Sequence, residues 1–364
     1  MRILLLLLIQ AAVAAAAPDQ FQHWYKQFRS QIEFVLNNNC SEQYQNYLNK
    51  TPGFDPEYQL WYDPTKGSAL TAPLVSCMLS NLPENVKANM ANAGVILGLL
   101  PTMLSMLGSN TVDTAILARV AGRPFLSLCL ALGSPAVSPD RPFEYPNVKA
   151  LISPEEIKKR IAIPKPGGRT WILISALEYI VALGAVANIA TACYQLGIQC
   201  ICNYATEVTT QPLIWAFIIA LIHIGGTIAL SLRYRVIRPP VEEPRISQPN
   251  RFRRYLIREI TPSLYSTPPP DVDEIKESYL FLVLSWFVCT GAVMHILYGT
   301  MVLSSLLFIS VQDALTNAGR FLASVVCCRA VLAYELAGLR QAKAGKMGDG
   351  EGSELRLFNS GVGE

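Results

Sequence analysis

The sequence predicts an all-α multi-pass membrane protein. About five spans remain after signal-peptide removal, and a small helical, disulfide-linked N-terminal domain lies on the lumenal or extracellular side. Three observations predict this. Of 364 residues, 51% are hydrophobic and only 16% charged, against about 25% charged in an ordinary soluble domain. Long stretches free of charge recur along the chain, and the basic residues missing from them collect in two loops and the tail. That distribution argues against a cytosolic globular enzyme, and the dispersed net charge of +3 does not point to nucleic acid as a partner.

Residues 1–16 have the pattern of a cleaved signal peptide: Arg2, an apolar run from Ile3 to Ile9, then small residues from Ala11 onward. Residues 17–92 form the ectodomain. Phe21, Trp24, Tyr25, Phe28, Ile32, Val35 and Leu36 recur at three- and four-residue spacing, the stripe of an amphipathic helix. A second short helix carries Tyr44, Tyr47 and Leu48, and an irregular aromatic cover runs from Pro52 to Pro73. Cys40 and Cys77 are disulfide candidates, because an oxidising lumen favours pairing and a small core gains from a cross-link. Asn39 and Asn49 head glycosylation sequons, the first with cysteine in the middle and the second followed by Pro52.

Three segments have the length of membrane helices: Trp171–Ile198 (28 residues, Glu178 the one charge), Pro212–Leu232 (21 residues) and Tyr279–Ser310 (32 residues), the last two uncharged. The last exceeds a hydrocarbon core of ~30 Å and must tilt, project or break, with Gly299 as its weak point. Ala93–Leu107 and Arg320–Leu339 are weaker candidates. The loops at 138–170 and 233–278 are rich in Lys and Arg, whereas Gln199–Gln211 has none. The positive-inside rule therefore makes 171–232 a hairpin with a lumenal tip and puts both basic loops in the cytosol. An odd number of crossings must then lie between the ectodomain and residue 138. Ala93–Leu107 supplies one, so that residues 93–137 hold the first span and a pair of interfacial or re-entrant helices, broken by Arg119, Arg123 and Pro124. The rival reading has both segments span. Residues 279–339 hold two further spans, and 340–364 form a disordered cytosolic tail.

Ser153-Pro154-Glu155-Glu156 fits a capping box that starts a short helix to Ile161. In the second loop, Arg251, Arg253, Arg254 and Arg258 interleave with Phe252, Tyr255, Leu256 and Ile257. Beside a bilayer, such a stretch points to anionic lipid headgroups, and ordinary positive-inside bias explains it too. The chain has no metal-site cluster, nucleophile elbow, phosphate loop or dinucleotide fingerprint, so no catalytic residue, metal or cofactor is assigned. Cys200 and Cys202, the one close cysteine grouping, read as lumenal disulfide candidates. Cys129, Cys289, Cys327 and Cys328 read as buried thiols.

Polar side chains within spans are costly and face protein or water. Counted as helix, Glu178 lies about 10 Å from the cytosolic end of its span, His223 about 13 Å and Arg329 about 15 Å, whereas His295 lies about 24 Å in. The expectation is a buried pair of Glu178 with Arg329 or His223, serving either helix packing or a proton or solute pathway.

Ala88-Asn89-Met90-Ala91, Val95-Ile96-Leu97-Gly98-Leu99-Leu100-Pro101-Thr102, Leu107-Gly108, and Leu132-Gly133-Ser134-Pro135-Ala136-Val137 with Arg141 form a further pattern. In these residues the chain resembles a family of uncharacterised fungal multi-pass membrane proteins, over roughly Cys77 to Tyr145. The resemblance implies a filamentous-fungal integral membrane protein and supplies no activity. Where that family has an acidic residue and paired arginines, this chain has Asp113 and the separated Arg119 and Arg123. The functional expectation is a non-enzymatic interaction or structural component of a membrane, with lipid and possible protein partners. The alternative is a transporter or channel component that uses Glu178, His223 and Arg329.

Overall fold

The computed structural model describes residues 20–51, 68–139, 147–153, 163–165, 167, 170–238, 251–266 and 269–360, with the backbone alone for Ser68, Arg251 and residues 346–360. The expected signal peptide, most of the aromatic cover (52–67) and the helix from Pro154 to Ile161 lie outside the described residues. The chain is all-α, and among the described residues five helices are long and apolar enough to cross a membrane: Glu84–Leu107, Thr170–Gln199, Gln211–Arg233, Tyr279–Ser304 and Val311–Gly345. It divides into two compact units, and each of the five long helices shares its residues between them.

The first unit holds residues up to Leu104, Asn188–Ile218 and His295–Ala323. Helix α1 (Arg29–Phe34) runs into a wider π turn (Val35–Asn39), and α2 (Ser41–Leu48) and α3 (Ser68–Asn81) follow. The aromatic stripe is buried as its spacing predicts. Phe21, Trp24, Phe28, Ile32 and Leu36 pack with Leu74 and Met78 of α3, Val86 and Met90 of α4 (Glu84–Leu107), Ile201 and Phe308. The helix itself begins only at Arg29, and Phe21 takes a left-handed φ of 67° in the turn before it. Cys40, at the junction of the π turn and α2, is disulfide-bonded to Cys77 of α3. Strand β1 (Ile201–Cys202) pairs antiparallel with β4 (Leu306–Leu307), Ile201 opposite Leu307. This ladder is why the apolar run from Tyr279 stops being helical at Ser304 instead of reaching Ser310. Gly299 does not break helix α11 (Tyr279–Ser304): a Cβ there would lie 2.2 Å from Trp215 Nε1, so glycine serves close packing.

The second unit holds Ser105–Ala187, Ile219–Met294 and Ser324–Glu364. Between α4 and α8 (Thr170–Gln199) the described residues form three short α-helices: α5 (Thr111–Ala115), α6 (Pro124–Leu132) and α7 (Val148–Leu151). Asn110 caps α5, its Oδ1 accepting from Asp113 N at 2.7 Å. A π turn (Ile116–Ala121) leads to Gly122, whose φ of 85° is the left-handed value that ends a helix, and Pro124 then opens α6 where its missing N–H costs nothing. Helices α5 and α6, of 5 and 9 residues, are too short to cross a bilayer of ~30 Å. After α9 (Gln211–Arg233), strand β2 (Tyr234–Ile237) pairs antiparallel with β3 (Asp271–Glu274), and the amphipathic α10 (Arg251–Ile260) lies between them in sequence. The core joins Ile116, Leu117, Leu126 and Leu130 to Ala182, Leu230, Val272, Leu332 and Leu336.

Helix α12 runs from Val311 to Ser360. One further expectation needs correction. Cys327 is exposed, unlike the buried Cys129, Cys289 and Cys328; on α12 it points away from the face that carries Cys328.

Candidate functional site

The densest polar cluster lies in the second unit, around Arg123. The left-handed Gly122 and the following Pro124 reverse the chain between the π turn and α6, and Arg123 N donates to Leu117 O at 3.1 Å. The reversal turns the Arg123 side chain inward until it is 0% exposed. Its Nη1 meets Glu178 Oε2 of α8 at 2.5 Å and Glu335 Oε1 of α12 at 2.9 Å. Nη2 donates to Ser175 Oγ at 3.0 Å, Nε donates to the Glu259 carbonyl at 2.9 Å, and the guanidinium lies 5.5 Å from the Tyr179 ring centre. One planar, permanently charged fork thus ties two long helices and α10 to the turn, a geometry suited to Arg rather than Lys.

The surrounding carboxylates are themselves held. Ser263 Oγ donates to Glu335 Oε2 at 2.6 Å. Glu259 Oε1 accepts from Tyr179 Oη at 2.7 Å and from Leu126 N at 2.9 Å, so a side chain of α10 caps the first turn of α6. Glu178, Glu259 and Glu335 are 5%, 5% and 1% exposed. Ionised together, the three would outnumber the single guanidinium, and a buried charge without a partner is strongly unfavourable. Two of their oxygens, Glu178 Oε1 and Glu259 Oε2, accept no hydrogen bond among the described residues. Among the described residues no group of three or more His, Cys, Asp or Glu is placed to hold a metal ion.

The expected partners of Glu178 lie elsewhere. Arg329 Nη1 pairs with Asp113 Oδ2 at 2.8 Å, and His223 Nδ1 is 2.7 Å from Thr114 Oγ1, so both serve α5. Depth alone made Arg329 and His223 eligible, but counting only spanning helices left out the turn at Gly122, which carries Arg123 to Glu178. His295 Nε2 contacts the Trp215 carbonyl at 2.8 Å in the first unit. Of the lipid-headgroup candidates, Arg253, Arg254 and Arg258 are exposed on α10, and the Arg251 side chain lies outside the described residues.

Arg123, Glu259, Glu335, Ser263, Ser175 and Tyr179 were not assigned to the site from sequence. A signal existed for some of them. Gly122-Arg123-Pro124 places a charge at a forced reversal, and Glu178 and Glu335 are isolated acids in apolar helices. All three need partners, and charge balance favours acid–arginine pairing. Glu259, in a basic surface-like stretch, had no such mark.

In the first unit, Cys200 and Cys202 are free, buried thiols and not a disulfide. Cys202 Sγ lies 3.0 Å from Ser305 Oγ through the β1–β4 pairing, and burial, with the Asp313 carboxylate nearby, pushes the Cys200 thiol well above its usual range. Asn39 and Asn49 are both exposed, and Asn39 Nδ2 donates to Asn81 Oδ1 at 3.0 Å. An open cavity of about 570 Å³ is lined by residues of α3, α4 and β4 and by Asn203, Thr206 and Ser304, with Lys87 the only charged lining residue among the described ones. Compared with protein-family models, curated proteins and solved structures, the chain matches none.

Proposed function

We propose that the protein is a non-enzymatic interaction component of a membrane, and that it works by holding α10 at the headgroup level of the cytosolic leaflet. One observation carries the reading. Helix α10 is held at Glu259, through both its carboxylate and its carbonyl and as the one buried side chain of α10 among the described residues, while Phe252, Tyr255, Leu256 and Ile257 stay exposed beside Arg253, Arg254 and Arg258. A helix with exposed apolar and basic faces, tethered next to spanning helices, has the chemistry of an interfacial helix over anionic lipid. The basic loops on either side of the 171–232 hairpin support a cytosolic location. Two independently built faces, this helix and the disulfide-bonded N-terminal unit, suit a protein that connects partners rather than converts a substrate.

A second reading draws on the surplus of buried carboxyls around Arg123 and their unbonded oxygens, which would suit a proton-binding centre in a transporter. One reconstitution separates the two. A nitroxide is placed on Leu256→Cys in a Cys327→Ser background, in vesicles of neutral lipid with and without phosphatidylserine. Its relaxation by oxygen and by a water-soluble nickel chelate is compared, and proton flux is followed with an internal pH dye. The proposal expects a lipid-facing label, deeper with phosphatidylserine, and no flux above empty vesicles. A label open to the chelate in both lipids overturns it; flux abolished by Glu178→Gln would favour the second reading.

A further inference from the structure

The turn that sends Arg123 inward leaves Arg119 outside, and two more arginines converge on the same place. Arg238 directly follows β2, and its Nη2 donates to the Arg119 carbonyl at 2.8 Å. Arg258 approaches from α10. A Cβ built on Gly122 would lie 3.5 Å from Arg238 Nη2 and 3.8 Å from both Cβ and Cδ of Arg258. Both arginine side chains thus lie within ordinary contact distance of the Gly122 turn. Its left-handed φ of 85° would strain almost any other residue. Arg119, Arg238 and Arg258 are all exposed to some degree, and among the described residues none forms an ion pair with a carboxylate. The acid opposite the end of β2, Asp271, pairs with Lys343 at 3.3 Å instead. Burial, and then the like charges of Arg258 and Arg119, lower the Arg238 pKa from its ordinary value, as expected for cations gathered without a counterion.

We propose that Arg119, Arg238 and Arg258 form a site for a phosphomonoester dianion at the Gly122 turn. Guanidinium forks match phosphate oxygens bidentately, and three of them neutralise a doubly charged group that one surface arginine would hold weakly. The phosphate could belong to the headgroup of phosphatidic acid or be free inorganic phosphate; the chemistry is the same and the source is an experimental question. The inference deepens the α10 reading, because Arg258 serves both, but Arg119 and Arg238 belong to this site alone.

The test uses the purified full chain. Inorganic phosphate is titrated in neutral detergent micelles, and phosphatidic acid is compared with phosphatidylserine in nanodiscs, with thermal unfolding and a direct binding isotherm as readouts. Stabilisation by phosphatidic acid well beyond phosphatidylserine identifies a lipid phosphate. Equal stabilisation by inorganic phosphate identifies a free one. Either supports the site, provided that Arg119→Gln and Arg238→Gln each weaken binding about tenfold, the loss of one charge-assisted contact. Both residues are exposed, so the unliganded unfolding temperature should stay near that of the unaltered protein. The site is overturned if neither phosphate source binds, or if both variants bind as the unaltered chain does. A lipid-facing Leu256 label alongside unaffected variants would sink this site and leave the α10 reading standing.

Discussion

The two units hide their polar groups differently. Among the described residues, the buried polar side chains of the first unit are neutral ones such as Gln20, Thr206 and Asn317, and its fixed point is the Cys40–Cys77 bond. The second unit contains every buried Asp, Glu and Arg described, namely Asp113, Arg123, Glu178, Glu259 and Glu335. One unit is closed by a covalent link around an aromatic core, the other by charges that must satisfy one another. A disulfide acts largely on the unfolded chain and is indifferent to its surroundings, whereas a buried ion network stabilises only while complete. The second unit should therefore fail abruptly when one member is removed, and the first should weaken in steps.

The largest effect should follow from Arg123→Met. It leaves Glu178 and Glu335 facing each other without a cation and removes the Arg123 donors to the Glu259 carbonyl and Ser175. Breaking a buried pair by removing one partner costs about 3–5 kcal/mol, a large share of the roughly 5–15 kcal/mol by which an ordinary domain is stable. The expected outcome is loss of monodisperse protein in detergent, with partial recovery in Arg123→Lys, which keeps the charge and loses the fork. A triple change of Arg123→Met, Glu178→Gln and Glu335→Gln should recover much of what the single change loses. Wild-type stability in Arg123→Met would end the contrast between the units.

Next comes the disulfide. With Cys40 and Cys77 separated by 37 positions in the sequence, loop-closure entropy puts its contribution at about 4 kcal/mol. Cys40→Ser with Cys77→Ser should raise hydrogen exchange in α1, α2 and α3 while the amides around Arg123 keep their protection. Equal loss of protection in both units would mean that they unfold as one.

The general plan was legible because it follows from where charge is absent. Five spans, the buried aromatic stripe and the 40–77 bond need only periodicity, length and cysteine placement. The site was half legible. Glu178 was recognised as needing a partner, but its partner is supplied by a turn, and a turn's direction depends on one backbone angle at Gly122 and on Pro124 after it. Cys200 and Cys202 misled for a similar reason. They stand together in sequence, but the pairing of β1 with a strand about a hundred residues later sends Cys202 to Ser305.

The smallest effects should be the same in both units, which would confine their difference to charge. Gly98 approaches Ser304 in the first unit, where an added Cβ would lie 2.8 Å from the serine Cβ; Gly133 approaches Cys328 and Ala185 in the second, at 2.7 and 2.9 Å. Gly184 on α8 meets nothing within 4 Å. Alanine in a helix gains up to about 1 kcal/mol over glycine, while overpacking a tight contact costs about 1–3 kcal/mol. Gly184→Ala should thus raise the unfolding temperature slightly, and Gly98→Ala and Gly133→Ala should lower it by similar amounts, worth roughly 1 kcal/mol each. A Gly133→Ala penalty several times that of Gly98→Ala would mean that displacing α6 disturbs the Arg123 turn at its other end, and that close packing and charge in the second unit act together.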